Sequence, residues 1–199
     1  MRSGFCFALL AFAISLSCVG AAQADQIRIV AFGTSATYGR YLSRAEAYPA
    51  KLERALRAKG HDVVVSNAGK NGDLAAAAMA RLDAAVPRGT HIAIVEFGVN
   101  EVKLKGLDTA VIRKDVDILV ARLRTRGVQV LLFDYMQLGL ASIASANGAT
   151  SFAYPSFLNR DARYVLPNDP LRHLNAAGYD IVAAQILPSV EAAIAKLKR

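Results

Sequence analysis

Short runs rich in valine and isoleucine alternate with longer segments of helical periodicity along most of this chain. The runs that predict β-strands are Ile27–Phe32, Val63–Val65, Ile92–Phe97 and Val128–Phe133. The segments that predict helices are Tyr48–Lys59, Leu74–Val86, Thr109–Arg126 and Asn175–Leu197, the last with a possible interruption near Pro188. Parallel strands need crossover connections, which are usually helices. The alternation therefore predicts an α/β fold, with a mostly parallel sheet and helices on both faces.

The N-terminal segment has the composition of a secretory signal peptide. Arg2 precedes an apolar stretch over Phe5–Val19, and Ala22–Ala24 forms a small-x-small cleavage site. The apolar stretch is too short for a comfortable membrane span. We therefore expect residues 1–24 to be removed on export to the periplasm or the medium, leaving one domain over residues 25–199 without stable membrane insertion. A retained N-terminal anchor is the alternative.

Both cysteines, Cys6 and Cys18, fall inside the predicted signal peptide. The mature protein would then contain no thiol, which excludes a cysteine nucleophile and a thiolate metal site. The histidines and carboxylates show no metal-ligand spacing, and the glycines match neither a dinucleotide fingerprint nor a phosphate loop. The sequence therefore predicts no metal and no cofactor.

The chain is basic, with a formal net charge of +8. Such a charge balance raises the possibility of nucleic-acid binding. The basic residues are scattered at helical spacing, as in Lys51, Arg54 and Arg57, which is typical of solvated helix faces. We therefore expect no nucleic-acid partner.

Ser35 follows the first predicted strand directly, after Gly33 and Thr34. The carboxyl end of a parallel sheet is where α/β folds bind their ligands, so this position suits a nucleophile. A serine there can equally be a helix cap. A nucleophilic serine also needs a base that takes its proton.

The chain offers three histidines as that base. His61 and His91 each precede a predicted strand, so we expect both at the amino edge of the sheet, facing solvent. His173 precedes the C-terminal helix, which places it on the same edge as Ser35. Its alternative role is a cap or packing residue before that helix.

Three further motifs follow Ser35, and they are Asn67–Asp73, Glu96–Glu101 and Arg172–Asn175. A serine, a glycine, an asparagine and a histidine thus occur in that order over nearly the whole mature chain. This order resembles the SGNH (GDSL-like) hydrolases. In size and export signal, the chain is most similar to the bacterial single-domain esterase, lysophospholipase and thioesterase members.

The resemblance implies both a fold and a set of site residues. The fold is a three-layer α/β/α sandwich of the flavodoxin-like type, with a mostly parallel five-stranded sheet. Ser35 would be the nucleophile and His173 the base. The N–H groups of Ser35 and Gly72 and the side-chain amide of Asn100 would form the oxyanion hole. Gly72 and Asn100 are also ordinary turn residues, so the motifs alone leave a structural explanation open.

Two positions depart from the family pattern. Thr34 stands where the family has an aspartate that organises the nucleophile loop. Pro170 stands where the family has the aspartate that assists the histidine, and Asp169 lies one residue earlier. A local bulge would let Asp169 reach His173. Otherwise the histidine works unassisted or through a backbone carbonyl.

The segment Met136–Pro170 shows little periodicity, and a loop of that length is uncommon unless it is functional. We interpret its first part, Leu138–Phe157, as a partly mobile wall whose Phe152, Tyr154 and Phe157 contact substrate. The alternative is a surface excursion with an aromatic clamp into the core. Only Tyr164–Leu166 in this region resembles a strand, although the family usually has a helix and a fifth strand here.

The favoured function is an exported serine hydrolase that cleaves small-molecule carboxylic esters or thioesters through an acyl-enzyme on Ser35. Two alternatives stay open. One is an esterase that removes O-acetyl groups from glycans. The other is a degenerate family member that binds an envelope lipid or glycan without cleaving it. The sequence does not fix the oligomeric state.

Overall fold

The computed structural model describes residues 26–135 and 138–197. The predicted signal peptide, including Cys6 and Cys18, lies outside the described residues. In the described part of the chain, no helix combines the length and the apolar character that crossing a membrane requires.

The sheet has five strands, all parallel, in the order β2-β1-β3-β4-β5. This arrangement confirms the predicted α/β fold and its five-stranded parallel sheet. The strands are β1 (Ile27–Gly33), β2 (Val63–Gly69), β3 (Ile92–Glu96), β4 (Gln129–Asp134) and β5 (Thr150–Ala153).

Helices follow each strand and form two groups. They are α1 (Ser35–Tyr38), α2 (Tyr48–Ala58), α3 (Ala75–Ala78), α4 (Leu82–Ala85), α5 (Val99–Lys105), α6 (Thr109–Thr125), α7 (Leu140–Ala146) and α8 (Ala176–Leu197). Helix α2 packs on α8, whereas α6 packs on α3 and α7. Right-handed crossovers explain why the two groups lie on opposite faces of the sheet. The chain moves towards one edge of the sheet from β1 to β2 and towards the other edge from β2 to β5, and this reversal changes the face that the connecting helices cover.

The central strands β1 and β3 are apolar on both faces because helices cover both sides of the sheet. Residues 29–32 of β1 and 92–95 of β3 are all buried. The two strands are hydrogen-bonded neighbours, with Gly33 opposite Glu96 at their carboxyl ends. This register brings the first and third motifs together at one edge of the sheet.

Two predicted elements differ in detail. The helix expected over Leu74–Val86 is divided, because a 3-10 turn at Met79–Arg81 separates α3 from α4. This turn carries Arg81, whose guanidinium donates to the carbonyls of Ala68 and Gly33 at the sheet edge. The interruption expected near Pro188 is absent, and α8 runs through it.

The segment Leu138–Phe157 was wrongly predicted to be mostly loop, since it contains α7 and β5. The strand suggested at Tyr164–Leu166 is also wrong. Only Val165 makes a bridge, antiparallel to Leu174. The neighbouring backbone groups bond to the segment around His173 instead of the sheet, because Leu166 N–H donates to the His173 carbonyl. This stretch therefore braces the histidine loop.

Gly69, at the end of β2, brings that strand against the backbone of α1. A Cβ atom at Gly69 would lie 2.7 Å from both Thr37 C and Tyr38 Cα and would also meet Tyr38 N. These atoms belong to backbone, so they cannot move aside as a flexible side chain can. The absence of a side chain at Gly69 therefore sets how closely the helix that starts at Ser35 approaches the sheet.

We predict that Gly69→Ala destabilises the protein by about 1–3 kcal/mol, because overpacking forces a backbone shift. Ser66→Ala is the matched control on the same strand, since Ser66 is exposed and its loss should change stability by no more than about 0.5 kcal/mol. Urea unfolding of both variants measures the difference. Equal stabilities would contradict the proposed close approach.

Candidate active site

Ser35 and His173 meet at the carboxyl edge of the sheet. Ser35 is the first residue of α1, directly after β1, and His173 lies in the loop before α8. Although 138 positions separate them, His173 Nε2 lies 2.8 Å from Ser35 Oγ. Both residues are buried, with 7% of Ser35 and 8% of His173 exposed. The hydroxyl is therefore within hydrogen-bonding reach of an imidazole that can accept its proton.

Asp169 continues this chain of hydrogen bonds. Its Oδ2 lies 2.6 Å from His173 Nδ1 and also accepts the His173 backbone N–H at 2.6 Å. The sequence left open whether Asp169 reaches His173 or the histidine works without it. In the structure Asp169 reaches the histidine. Ser35, His173 and Asp169 form a continuous serine–imidazole–carboxylate array.

Asp169 lies four residues before His173, and a tight turn between them brings its carboxylate to the imidazole ring. The carbonyl of Asp169 accepts the N–H of Arg172 at 3.0 Å, and Oδ1 accepts the N–H of Leu171 at 3.2 Å. Pro170 follows the first residue of this turn, where its fixed φ is favourable. Arg172 takes a φ of +54°, so the turn absorbs the additional residue before the histidine.

Electrostatics keep the imidazole neutral and the carboxylate ionised. Burial lowers the pKa of His173, and the opposing effect of Asp169 is not large enough to restore it. Burial also works against ionisation of Asp169, but the hydrogen bonds from His173 and Leu171, together with the electrostatic attraction of His173, lower the pKa of Asp169. A neutral imidazole beside an ionised carboxylate is the state in which a histidine can take a proton from serine.

The predicted oxyanion donors are placed unevenly. Asn100, in α5, is buried and lines the same cavity as Ser35, and one of its amide hydrogens is bound to the carbonyl of Asp73 at 2.9 Å. Its second amide hydrogen has no acceptor among the described residues. Gly72 sits in an exposed turn with a φ of +72°, which by itself explains glycine, and it is not among the described residues that line the cavity.

Two carboxylates join the loops that carry these donors. Glu101 is buried and accepts the backbone N–H groups of Ala75 at 2.6 Å and Gly98 at 2.9 Å, which connects the starts of α3 and α5. The buried carboxylate of Asp73 forms an ion pair with the half-buried Arg81 at 2.6 Å. These contacts fix the position of Asn100 relative to the sheet edge.

Glu96 is the site residue that sequence reasoning missed. It is fully buried at the end of β3 and accepts backbone N–H bonds from Thr34 at 2.9 Å and Thr37 at 3.2 Å. The hydroxyls of both threonines also lie within 3.0 Å of its carboxylate. The available signal was an acidic residue at the end of a wholly apolar strand, where burial without a partner is costly.

A cavity of about 300 Å³ opens beside Ser35. Tyr154, one of the three predicted substrate contacts, lines it together with Tyr135 and Tyr179. Phe152 instead packs edge-on against Phe133, with ring centroids 4.2 Å apart, which fits the alternative of an aromatic clamp into the core.

Phe157, the third predicted contact, lies away from this cavity. Its side chain is 57% exposed, and it is not among the described residues that line the cavity. The lining also includes polar and charged side chains that the sequence did not single out, and these are Lys103, Ser156, Asn159, Arg160 and Arg172.

The other two histidines lie away from this edge. His61 and His91 precede β2 and β3, at the amino ends of the strands, and both are half-buried. His61 contacts Glu191 at 3.4 Å, and His91 Nδ1 accepts the Arg28 N–H at 2.9 Å. Within residues 26–135 and 138–197, no group of three or more histidine, cysteine or acidic side chains is placed to hold a metal ion.

A serine, a histidine and an acid in hydrogen-bonded sequence, beside a cavity at the carboxyl edge of a parallel sheet, have the geometry of the serine hydrolases. The sequence model of the GDSL-like lipase/acylhydrolase family matches residues 31–181. The chain therefore belongs to this family, which confirms the SGNH resemblance and the assignment to the hydrolases.

Solved structures agree with this assignment. The SGNH-hydrolase family esterase AlinE4 is 27% identical, with a TM-score of 0.67 over 85% of this chain and 97% of its own. TesA is 18% identical, with a TM-score of 0.76 over 83% of this chain and 99% of its own. The psychrotrophic esterase EstA from Pseudoalteromonas sp. is 17% identical, with a TM-score of 0.73 over 83% and 97%. No curated protein matches the chain significantly.

The buried carboxylate of Glu96 predicts a specific pH dependence of stability. Burial raises its pKa to about 7, despite the threonine donors that favour the ionised form. The folded protein therefore keeps this proton to higher pH than the unfolded chain, in which glutamate titrates near 4.5. Raising the pH from about 4.5 to about 7 thus destabilises the wild type relative to Glu96→Gln, by about 3 kcal/mol in total.

Urea unfolding of the wild type and Glu96→Gln at pH 5 and pH 8 measures this change, because all other titrations cancel in the difference. Glu46→Gln, compared with the wild type below about pH 5, is a control of opposite sign. Hydrogen bonds from Ser43 lower the pKa of Glu46, so the wild type should gain stability over that variant as the pH rises through the acid range. A stability difference between the wild type and Glu96→Gln that does not change with pH would contradict the raised pKa of Glu96.

Proposed function

We propose that this protein is an exported serine esterase that hydrolyses small carboxylic esters or thioesters. The observation that carries the proposal is the unbroken hydrogen-bonded array from Ser35 through His173 to Asp169, which opens on a cavity. A degenerate binding protein would not need an imidazole held neutral within 2.8 Å of a serine hydroxyl.

The proposed reaction has two halves. Ser35 Oγ attacks the ester carbonyl while His173 Nε2 takes the hydroxyl proton. The imidazolium then gives this proton to the leaving alcohol or thiol, and an acyl-enzyme remains on Ser35. Water attacks the acyl-enzyme by the same route, which releases the acid and restores the serine. Asp169 holds the imidazole orientation and stabilises its cationic form.

The oxyanion of each tetrahedral intermediate needs hydrogen-bond donors. Among the described residues, the backbone N–H of Ser35 has no hydrogen-bond acceptor, and Asn100 keeps one free amide hydrogen beside the cavity. We assign the oxyanion to these two donors. The Gly72 N–H has no acceptor in the described part of the chain either, and a small approach of its exposed turn would make it the third donor.

The cavity favours short or medium acyl groups. Its volume of about 300 Å³ is at the lower end of the range for ligand pockets. The rings of Tyr135, Tyr154 and Tyr179 line it, which suits an apolar acyl chain. Two of the similar solved structures, AlinE4 and EstA, are named esterases, which supports the same reaction class here.

We predict that purified protein turns over p-nitrophenyl acetate or butyrate and that Ser35→Ala abolishes this turnover. Asp169→Asn should lower kcat by about 10²–10⁴, because loss of the carboxylate from a triad misorients the imidazole. Spectrophotometric assay of nitrophenolate release measures both effects. Labelling by a fluorophosphonate probe should likewise require Ser35.

Asp161→Asn is the matched control for Asp169→Asn. Asp161 lies in the same region of the chain and pairs with Arg163, away from Ser35, so its variant should keep wild-type activity. A well-folded wild-type protein that neither hydrolyses esters nor takes the probe would contradict the proposed function. If the two aspartate variants have equal activities, only the proposed role of Asp169 is contradicted, and the proposed function stands.

We also propose that the protein acts in the periplasm or outside the cell. The support is the charged, apolar and small-x-small pattern of residues 1–24. Expression in a bacterial host should therefore give an exported product whose first residue is Asp25. Fractionation followed by N-terminal sequencing tests this, and a full-length product that stays in the cytoplasm would contradict it.

A further inference from the structure

Glu96 is a buried acid that no step of the proposed reaction uses. It is fully buried at the carboxyl end of β3, and no cationic side chain among the described residues contributes to its pKa. An unpaired carboxylate in such a place costs stability unless hydrogen bonds satisfy it. Its contacts therefore point to what it does.

Among the described residues, every donor to this carboxylate comes from the turn that contains the proposed nucleophile. Thr34 and Thr37 each contribute a backbone N–H, at 2.9 Å and 3.2 Å. Each also places its hydroxyl about 3 Å from the carboxylate, at 2.9 Å and 3.0 Å from Oε2. The two threonines lie on either side of Ser35 in the sequence, so Glu96 holds the turn on both sides of the serine.

We propose that Glu96 is a positioning residue, whose carboxylate clamps Thr34 and Thr37 and thereby aims Ser35 Oγ at His173 Nε2. The proposal rests on the proposed ester hydrolysis at Ser35. It also accounts for Thr34, which stands where the family pattern has an aspartate. A negative charge still organises the nucleophile loop, but the neighbouring strand supplies it.

The ionised form is the one that fits the clamp. A carboxylate can accept from two N–H groups and two hydroxyls at once, whereas a carboxylic acid or an amide presents hydrogen atoms that compete with these donors. The ionised acid can accept from all four donors of the turn at once. Loss of its charge should therefore loosen the turn without removing any atom that touches substrate.

Substitutions at three positions test the clamp. Glu96→Gln removes the charge at nearly constant size, and Thr34→Val and Thr37→Val remove the hydroxyls. Misplacement of a reacting group by about 1 Å costs about 10²-fold in rate, so we expect kcat for p-nitrophenyl butyrate to fall about 10- to 100-fold. KM should change less than threefold, and fluorophosphonate labelling of Ser35 should slow in parallel with kcat.

Two kinds of control separate positioning from general loss of structure. Thr34→Ser and Thr37→Ser keep the hydroxyl and should retain kcat within about threefold. Thr90→Val removes a buried, hydrogen-bonded hydroxyl at the opposite edge of the sheet and should leave kcat unchanged. If Glu96→Gln does not fold, the threonine variants and their serine controls decide the question.

The pH profile supplies a readout that a purely structural role would not move. In the wild type, activity should rise with pH as both Glu96 and His173 lose a proton, whereas Glu96→Gln should retain only the His173 step at lower pH. The phenols that face Glu96 from other elements are those of Tyr48, Tyr135, Tyr154 and Tyr179. Burial raises their pKa values, so they stay neutral throughout this range.

Each outcome distinguishes this proposal from the proposed function. Wild-type protein that neither hydrolyses esters nor takes the probe would overturn the esterase assignment. If the wild type is active and both Glu96→Gln and Thr34→Val have its kcat and its pH profile, only the clamp is overturned. The clamp would also be overturned if the serine variants lost as much kcat as the valine variants.

Discussion

The hydrogen bond between Ser35 and His173 joins the first strand of the domain to the loop before its last helix. Contacts other than this hydrogen bond hold each of the two residues at the carboxyl edge of the sheet. Ser35 is fixed because β1 is buried between two strands and ends where Gly69 lets α1 approach the sheet closely. His173 is fixed because the backbone around Val165 pairs with its loop. The Ser35–His173 hydrogen bond therefore depends on the packing of both β1 and the loop before α8. Displacement of either one would separate the two side chains.

The histidine loop shows how a different local sequence gives the same geometry. The acid lies four residues before the histidine, one residue further than in the family pattern. Here the turn at Pro170 and the left-handed φ of Arg172 shorten the path, so that Asp169 accepts both the ring and the backbone N–H of His173. A positive φ in a residue other than glycine costs some free energy, and the hydrogen bonds made within the turn offset it. The array thus depends on backbone conformation more than on residue spacing.

This dependence explains how far sequence reasoning reached. The buried strands β1 and β3 were predicted because they are short, continuous apolar runs, and the amphipathic helix α6 was predicted because its apolar residues recur at helical spacing. Helix α7 and strand β5 were missed, since α7 is only seven residues long and β5 is a four-residue edge strand with no buried position. Ser35, His173 and Asn100 follow strands or precede helices and were found by motif. Glu96 was missed because its role depends on which strands are neighbours, and β1 pairs with β3 across more than sixty residues.

Glu96 also shows why a costly group can persist beside a site. A neutral side chain of the same size would avoid the desolvation of a buried charge, which raises the pKa of this carboxyl to about 7. It would leave donors of the Thr34–Thr37 turn unsatisfied, however, and each such donor costs about 1–3 kcal/mol when buried. The turn and the acid therefore stabilise each other only as a pair. Since Ser35 lies inside that turn, the proposed clamp would make the position of the proposed nucleophile depend on a side chain that does not contact the substrate.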